Sequence, residues 1–374
     1  MADRQEGDRM IDDVFVADAV VHGYNWGSDN FAIPEAAMTS AAGFGFHQIL
    51  SPDSPARLTE GEFVRDWPTE DIEEALFVES GVDLVCYHGT PIYDFYSDGH
   101  SATHKGLEWK AREPNRVLAY GAANPMEGAA ALRRLEELAD QGVDGVKVYA
   151  ARFYQGHTIP QPLDDPEFGY PFIEKALELG IRVIATHKAI PFGPVRAEPY
   201  SVGDLPQACA RYPEMNFEVV HAGFAFLEET ALLAASFPNV WLNLEVCGSF
   251  AAVAPRRFAE LIGPFLQYGA EDRIVFATGC PLVHPLPAIR AVLDFEMPED
   301  LVSGMGYPQL TPEVKRKVLG ANFLRLHGID EKSFSEKTEG DRWAVARQQV
   351  HDAEPWSHLR RRGITGDKID AGAV

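Results

Sequence analysis

A chain of 374 residues, 46% apolar and 24% charged, has ample material for a large core and the balance of an ordinary globular protein. Its formal charge of −23 argues against nucleic acid or an anionic membrane as main partner, because the long-range field repels both. No apolar run is long enough to span a bilayer and the opening MADRQEGDRM lacks a signal-peptide core, so a cytoplasmic location is expected.

The first element is VFVADAVV, residues 14–21, an apolar run interrupted only by Asp18 and therefore suited to a strand covered on both faces. Alternation puts Asp18, Val20 and His22 on one face, with His22 at the carboxyl end, where parallel sheets keep their chemistry. Residues 28–67 read as a long connection rich in Gly, Pro, Ala and Ser, a binding loop or lid, with His47 an ordinary loop residue. Thr69 caps a helix, TEDIEEALFVESG, that ends at Gly81.

VDLVCYHG is a second strand with His88 at its exit. An aromatic loop follows, and then a helix-like piece in which His100, His104 and Glu108 lie four apart, on one helical face. The third strand is RVLAYGAANP. After the amphipathic helix GAAALRRLEELADQG comes the fourth, VDGVKVYA, with Lys147 and Tyr149 sharing a face. IRVIATHK places His187 and Lys188 at the end of a fifth strand, and FEVVHAG places His221 at the end of a sixth. VWLNLEVCG carries Glu245 in a seventh; RIVFATGCP, followed by His284, is an eighth. TPEVKRKVLGANFLRLHG closes the set as a helix capped by Thr311.

Eight strands alternating with helices over residues 11–329 describe an α/β chain with the (β/α)₈ TIM-barrel fold, carrying long loop insertions between a short tail, residues 1–10, and a C-terminal extension, 330–374. No glycine-rich GxGxxG turn follows the first strand, which disfavours a doubly wound sheet. Trp343 and Trp356 suggest that the extension docks on the barrel or on a second subunit, as in a homo-oligomer. Its basic run, Arg360 to Arg362, reads as solvated surface. Cys86, Cys209, Cys247 and Cys280 are spread without a CxxC and read as small core residues.

A barrel gathers its strand ends in one mouth. There His22, His88, His187, His221 and Glu245 make the ligand set expected for zinc, iron or manganese. His284 is either a further ligand or a substrate contact. Lys147 is a carbamylated bridge between metals, a positive charge for substrate or an ion-pair partner of Glu245, the charge roles being favoured.

In their order HGYN, KVY, THK, VVHAG, NLE, ATGCPLVHP and VLGANFLRLHG, these motifs resemble the amidohydrolase-2 group of metal-dependent barrels. Those hydrolases and decarboxylases usually carry His-x-His on strand one and a metal-binding, proton-accepting Asp on strand eight. Here Val20 and Gly279 stand at those places. Glycine can neither bind metal nor take a proton from water.

With Glu245 supplying a carboxylate from strand seven, the altered set resembles the TIM-barrel nonheme diiron monooxygenases of diterpenoid antibiotic biosynthesis. That resemblance implies two irons, O₂ as co-substrate, an external electron donor and a bulky apolar acyl-CoA hydroxylated at an unactivated C–H bond. Iron ligands would come from His22, His187, His221 and Glu245, with His88 and His284 next. Lys147 would be catalytic; Lys188, Arg196 and Tyr149 would meet the substrate. The alternative is a metal-dependent hydrolase or decarboxylase using Glu245 or His284 in place of the missing Asp.

Overall fold

The computed structural model describes residues 14–350 and 353–364. Eight parallel strands form one sheet in sequence order: β1 Ala17–Val21, β2 Leu84–His88, β3 Val117–Ala122, β4 Gly145–Tyr149, β5 Val183–His187, β6 Asn216–Val220, β7 Val240–Asn243 and β8 Ile274–Val275. The ends of the sheet meet, because Ala19 N donates to Phe276 O, Gly279 N to Val20 O and His22 N to Cys280 O. The closure defines the amidohydrolase-like TIM barrel.

The regular part of β8 is only two residues long, much shorter than RIVFATGCP suggests. The rest of that segment still seals the barrel, but Asp18 takes over part of its bonding. The Asp18 carboxylate accepts from Thr278 N at 3.0 Å and from Val20 N at 3.3 Å, substituting side chain for strand ladder.

At the amino ends of the strands the interior is filled by Ala17, Ala19, Cys86, Tyr120, Val183 and Val275, all essentially inaccessible. All four cysteines are buried and free, as small core residues should be. No helix among the described residues is long and apolar enough to cross a membrane.

Residues 28–67 are not the loop that their composition suggests. They contain a helix, Ala36–Leu50, and a short one, Glu60–Phe63. AAMTSAAGFGFHQIL lacks the polar contrast that reveals a helix by period. It is held instead by burying Ala36, Thr39, Ser40, Gly43, His47 and Leu50, which recur at helical spacing. Gly43 is required by close approach: a Cβ there would lie 2.3 Å from the Trp26 ring. His47 is not an idle loop residue either, for its ring is buried and bridges Leu282 O at 2.8 Å and Leu58 N at 2.8 Å.

The extension docks on the barrel through Trp343, 5.1 Å from Phe77, and Trp356, 5.6 Å from Trp67. Arg361 and Arg362 pair with Glu74 and Asp71 at 3.0 and 3.2 Å, so their charge is used within the chain. The last residues of the extension, 365–374, lie outside the described residues.

Candidate functional site

His22, His187, His221 and Glu245 come together at the carboxyl ends of the strands, all nearly inaccessible to solvent. Each is aimed by its backbone. His22 follows β1, where its N–H is locked to Cys280 O at 2.8 Å. His221 follows β6 with φ 68°, and Glu245 follows β7 just before Val246 at φ 66°. A β-branched residue in the left-handed region is a true outlier, of the kind that clusters at functional sites.

The hydrogen bonds define which ring nitrogens carry protons. His22 Nδ1 lies 2.9 Å from His88 O, and His187 Nε2 lies 2.7 Å from Ile190 O. A carbonyl only accepts, so both nitrogens donate, leaving His22 Nε2 and His187 Nδ1 bare in the neutral rings. His22 Nε2 faces Glu245 Oε1 at 3.1 Å. His221 faces His187 Nδ1 through Nε2 at 3.2 Å and Glu245 O through Nδ1 at 3.2 Å, and a neutral ring has one proton for these two acceptors.

Burial pulls His221 down to about 4 and His187 well below the usual imidazole range, which keeps them neutral. Burial alone would raise Glu245, but His221, His22 and Lys147 outweigh it and hold the carboxylate ionised. Lys147 brings a positive charge to 4.0 Å from Glu245, and a cation among the imidazole nitrogens and the carboxylate would complete the donor set.

A divalent metal fits that requirement. Ligand atoms about 2.1 Å from one metal stand about 3.4 Å apart in tetrahedral geometry. Here His22 Nε2 stands 3.1 Å from Glu245 Oε1 and His221 Nε2 stands 3.2 Å from His187 Nδ1, while the 3.9 Å approach of His221 to Glu245 Oε2 is made by the ring's other nitrogen. Among the described residues no three His, Cys, Asp or Glu side chains are laid out as a preformed cage, so the fit is one of neighbouring pairs. Three imidazoles and a carboxylate suit zinc, iron and manganese alike.

Lys147 points to the same place. Its ammonium is 1% exposed, 4.0 Å from Glu245 Oε2, and makes no hydrogen bond. Burial draws the amine down from 10.5, opposed by Glu245 and Glu218. Tyr149 stacks on His187 at 4.2 Å and lines the cavity above the cluster.

Other candidates lie elsewhere. His88 contributes its carbonyl to His22, while its ring stacks on Tyr120 at 4.4 Å with neither nitrogen bonded. His284 is turned away from the mouth; its Nε2 meets Glu79 Oε2 at 3.0 Å in a buried network with His358 and Trp356. That cage satisfies His284 completely, so the structure corrects its reading as ligand or substrate contact. Lys188 is likewise spent, bonded to Asp204 at 2.6 Å and Pro199 O at 3.2 Å, and it does not reach the cavity. Arg196 sits on an exposed loop outside the cavity lining.

The four-residue spacing of His100, His104 and Glu108 does not put all three on one helical face. The helix begins only at Thr103, which leaves buried His100 on the preceding loop and His104 in solvent, 3.7 Å from Asp98.

Above the cluster lies a cavity of about 290 Å³. Tyr24, Trp26, Met38, Phe46, His100 and Phe192 form its walls. Sequence reasoning missed most of these wall residues. The alternation of His22, Tyr24 and Trp26 was the available signal, since period two carries their side chains to one side.

A family model described as amidohydrolase matches residues 86–329, more than half of the chain. The chain belongs to the amidohydrolase family. Among solved structures, an uncharacterised TIM-barrel protein from Bordetella bronchiseptica is 14% identical with a TM-score of 0.60, covering 84% of this chain and 99% of its own. The 2,6-dihydroxybenzoate decarboxylase from Rhizobium is 15% identical with a TM-score of 0.53, covering 83% and 99%. A 5-carboxyvanillate decarboxylase from Novosphingobium aromaticivorans, solved with bound manganese, is 14% identical with a TM-score of 0.51, covering 84% and 97%. No curated protein matches the chain significantly.

Within this amidohydrolase barrel the strand-eight position is filled from the neighbouring strand. A Cβ built on Gly279 would stand 2.9 Å from Glu245 Oε1 and 3.3 Å from Glu245 Cγ. The Glu245 carboxylate thus occupies the ground that a side chain at 279 would enter.

Proposed function

We infer that this chain is a metal-dependent enzyme acting at the carboxyl or acyl carbon of an apolar, ring-bearing acid, as a decarboxylase or hydrolase. The observation that carries the reading is the floor of the cavity: Glu245 between His22 and His221, beside a Lys147 ammonium that pairs with Glu245 at 4.0 Å but has no hydrogen bond among the described residues. A substrate carboxylate reaching past Glu245 would give Lys147 the hydrogen bond it lacks. Glu245, held ionised, can take the proton of the acid substrate and hand it to the carbon that CO₂ leaves, and the aromatic walls keep water from that carbon. A divalent metal, when bound, supplies Lewis-acid polarisation of the substrate oxygens. The activities of the two decarboxylases of similar fold agree with this reading.

Decarboxylation suits the site better than hydrolysis, since it needs no attacking water and Gly279 offers no base on strand eight.

One observation favours a second reading, O₂-dependent hydroxylation at two irons. The base expected of a hydrolase is missing while the imidazoles remain under apolar walls. In that reading no side chain need activate water. The acyl-CoA part of it loses support, because Lys188 is paired with Asp204.

Elemental analysis of the purified protein, with CO₂ release and O₂ uptake followed over a panel of aromatic and alicyclic acids, tests both. One divalent metal per chain and turnover without O₂ support the first reading. Two irons and O₂-coupled product overturn it in favour of the second. Glu245→Ala should lose metal while keeping its circular dichroism; unchanged metal content would remove Glu245 from the site.

A further inference from the structure

Two polar groups in the cavity wall have no hydrogen-bond partner among the described residues. His100 is 1% exposed with neither ring nitrogen hydrogen-bonded, and Trp26 is 3% exposed with a free indole N–H. Their rings meet edge to face at 3.9 Å, and both line the cavity whose floor holds Glu245. They come from separate segments, the exit of β1 and the loop after β2. Leaving a buried polar group unsatisfied costs about 1–3 kcal/mol, so two side by side require an explanation. His47 and His284, buried nearby, are both fully bonded.

His100 is also held in a fixed plane. It lies between Tyr24 at 4.3 Å and Tyr96 at 4.7 Å, both within 24° of parallel. Tyr24 stacks in turn on His22 at 4.5 Å, so the pair stands two stacked rings from the floor. Tyr96 is anchored to the overlying helix by Thr39, hydroxyl to hydroxyl at 2.6 Å. The remaining wall here is Met38, Phe46 and Phe192, which offer no hydrogen bond.

The geometry points to a second, neutral subsite in which the Trp26 N–H and the His100 ring together take a hydroxyl or carbonyl oxygen on the substrate's far end. The Trp26 N–H donates to that oxygen. A neutral imidazole, with one N–H and one lone pair, can then accept from a hydroxyl or donate to a carbonyl. Burial keeps His100 in that neutral form, well below the usual imidazole range. The substrate class narrows to a flat apolar acid with an oxygen substituent remote from its carboxyl group. The assignment of the carboxyl end rests on the proposed function; the subsite does not.

Phenol and toluene separate the two, since neither carries a carboxylate. Binding of each to the full-length protein is measured by ligand-detected NMR titration, alongside thermal melts without ligand. Wild type should bind phenol about tenfold more tightly than toluene, the value of one good neutral hydrogen bond to a buried group. His100→Phe and Trp26→Phe should bring phenol down to toluene's affinity and leave toluene unchanged. His100→Phe should melt no lower than wild type, because it exchanges an unsatisfied polar ring for an apolar one. His100→Gln, which keeps a donor and an acceptor, should retain part of the preference. Equal affinity for phenol and toluene in wild type, an intact preference in both Phe variants, or a marked drop in the His100→Phe melt would overturn the subsite. Benzoate binding that is unaffected by Lys147→Met would count against the proposed function and leave the phenol result standing.

Discussion

Gly279→Ala tests whether Glu245 has replaced a strand-eight side chain in space. Residue 279 has φ 72°, where an L-residue costs about 1–2 kcal/mol. The new Cβ would also stand 2.9 Å from Glu245 Oε1, an atom held 3.1 Å from His22 Nε2. Crowding a packed interior costs a further ~1–3 kcal/mol unless the carboxylate swings away. Either outcome is measurable: stability falls by roughly 2–5 kcal/mol in urea, or Glu245 leaves His22 and metal content drops.

Glu245→Ala in the same chain removes the atom being struck, so only the backbone cost remains. The double mutant should be less destabilised than the sum of the singles by about 1–2 kcal/mol. Gly279→Asp combined with Glu245→Ala should recover metal binding, with the carboxylate now supplied from strand eight. Additivity within about 0.5 kcal/mol in the first pair, together with no metal in the second, would refute the reasoning.

Glu218 is buried against Asn243 and Tyr120, and burial raises its carboxyl from 4.5 to about 7. The folded protein therefore keeps a proton that the unfolded chain releases, and stability declines as pH rises from about 4.5 through 7. Glu218→Gln should gain up to about 3 kcal/mol on wild type between pH 5 and pH 8 in urea melts, and a pH-independent difference would contradict this. Asp18, raised to about 7, leaves a background slope of the same sign in both proteins. His284→Leu should lower stability by about 2 kcal/mol through its lost bond to Glu79 while leaving metal content intact; loss of metal would return His284 to the site. Trp356→Ala, which empties a wholly buried position beside Trp67 and His284, should cost about 3–5 kcal/mol, and a shift below about 1 kcal/mol would show that the extension does not secure the barrel.

The barrel was legible because buried parallel strands read as continuous apolar runs, and because a histidine or carboxylate at each exit marked the mouth. VVHAG and NLEVCG show both signals at once. The helix over the mouth was not legible, since Ala, Gly, Ser and Thr on its buried face give little hydrophobic contrast, and Gly43 reads as a breaker until Trp26 is seen against it. His284 and Lys188 misled for a common reason. Sequence places a residue near a strand end but cannot supply the partner that turns it away, and Glu79 and Asp204 lie 205 and 16 positions distant. His100 misled in the opposite direction: its four-residue spacing from His104 suggested a helix face, whereas the helix starts only at Thr103 and the loop before it carries His100 into the wall.

The backbone itself argues that the mouth is more than a buried polar network. Positive φ values occur at Ala189 after β5, His221 and Ala222 after β6, Val246 after β7 and Gly279 in the segment sealing β8. Four consecutive strand exits thus leave the ordinary extended path. Each non-glycine among them costs about 1–2 kcal/mol that a simple connection would avoid. The distortions share one result: they direct His221 and Glu245 back across the strand ends toward His22 and His187, while Gly279 leaves room for the carboxylate. Satisfying buried polar groups does not demand this, since Asp18 and Thr278 do so deeper in the same barrel with no positive φ. The strain is concentrated where the imidazole nitrogens, the ionised carboxylate and Lys147, which has no hydrogen bond, converge, as expected of a chain shaped to hold a cation and an acid against each other.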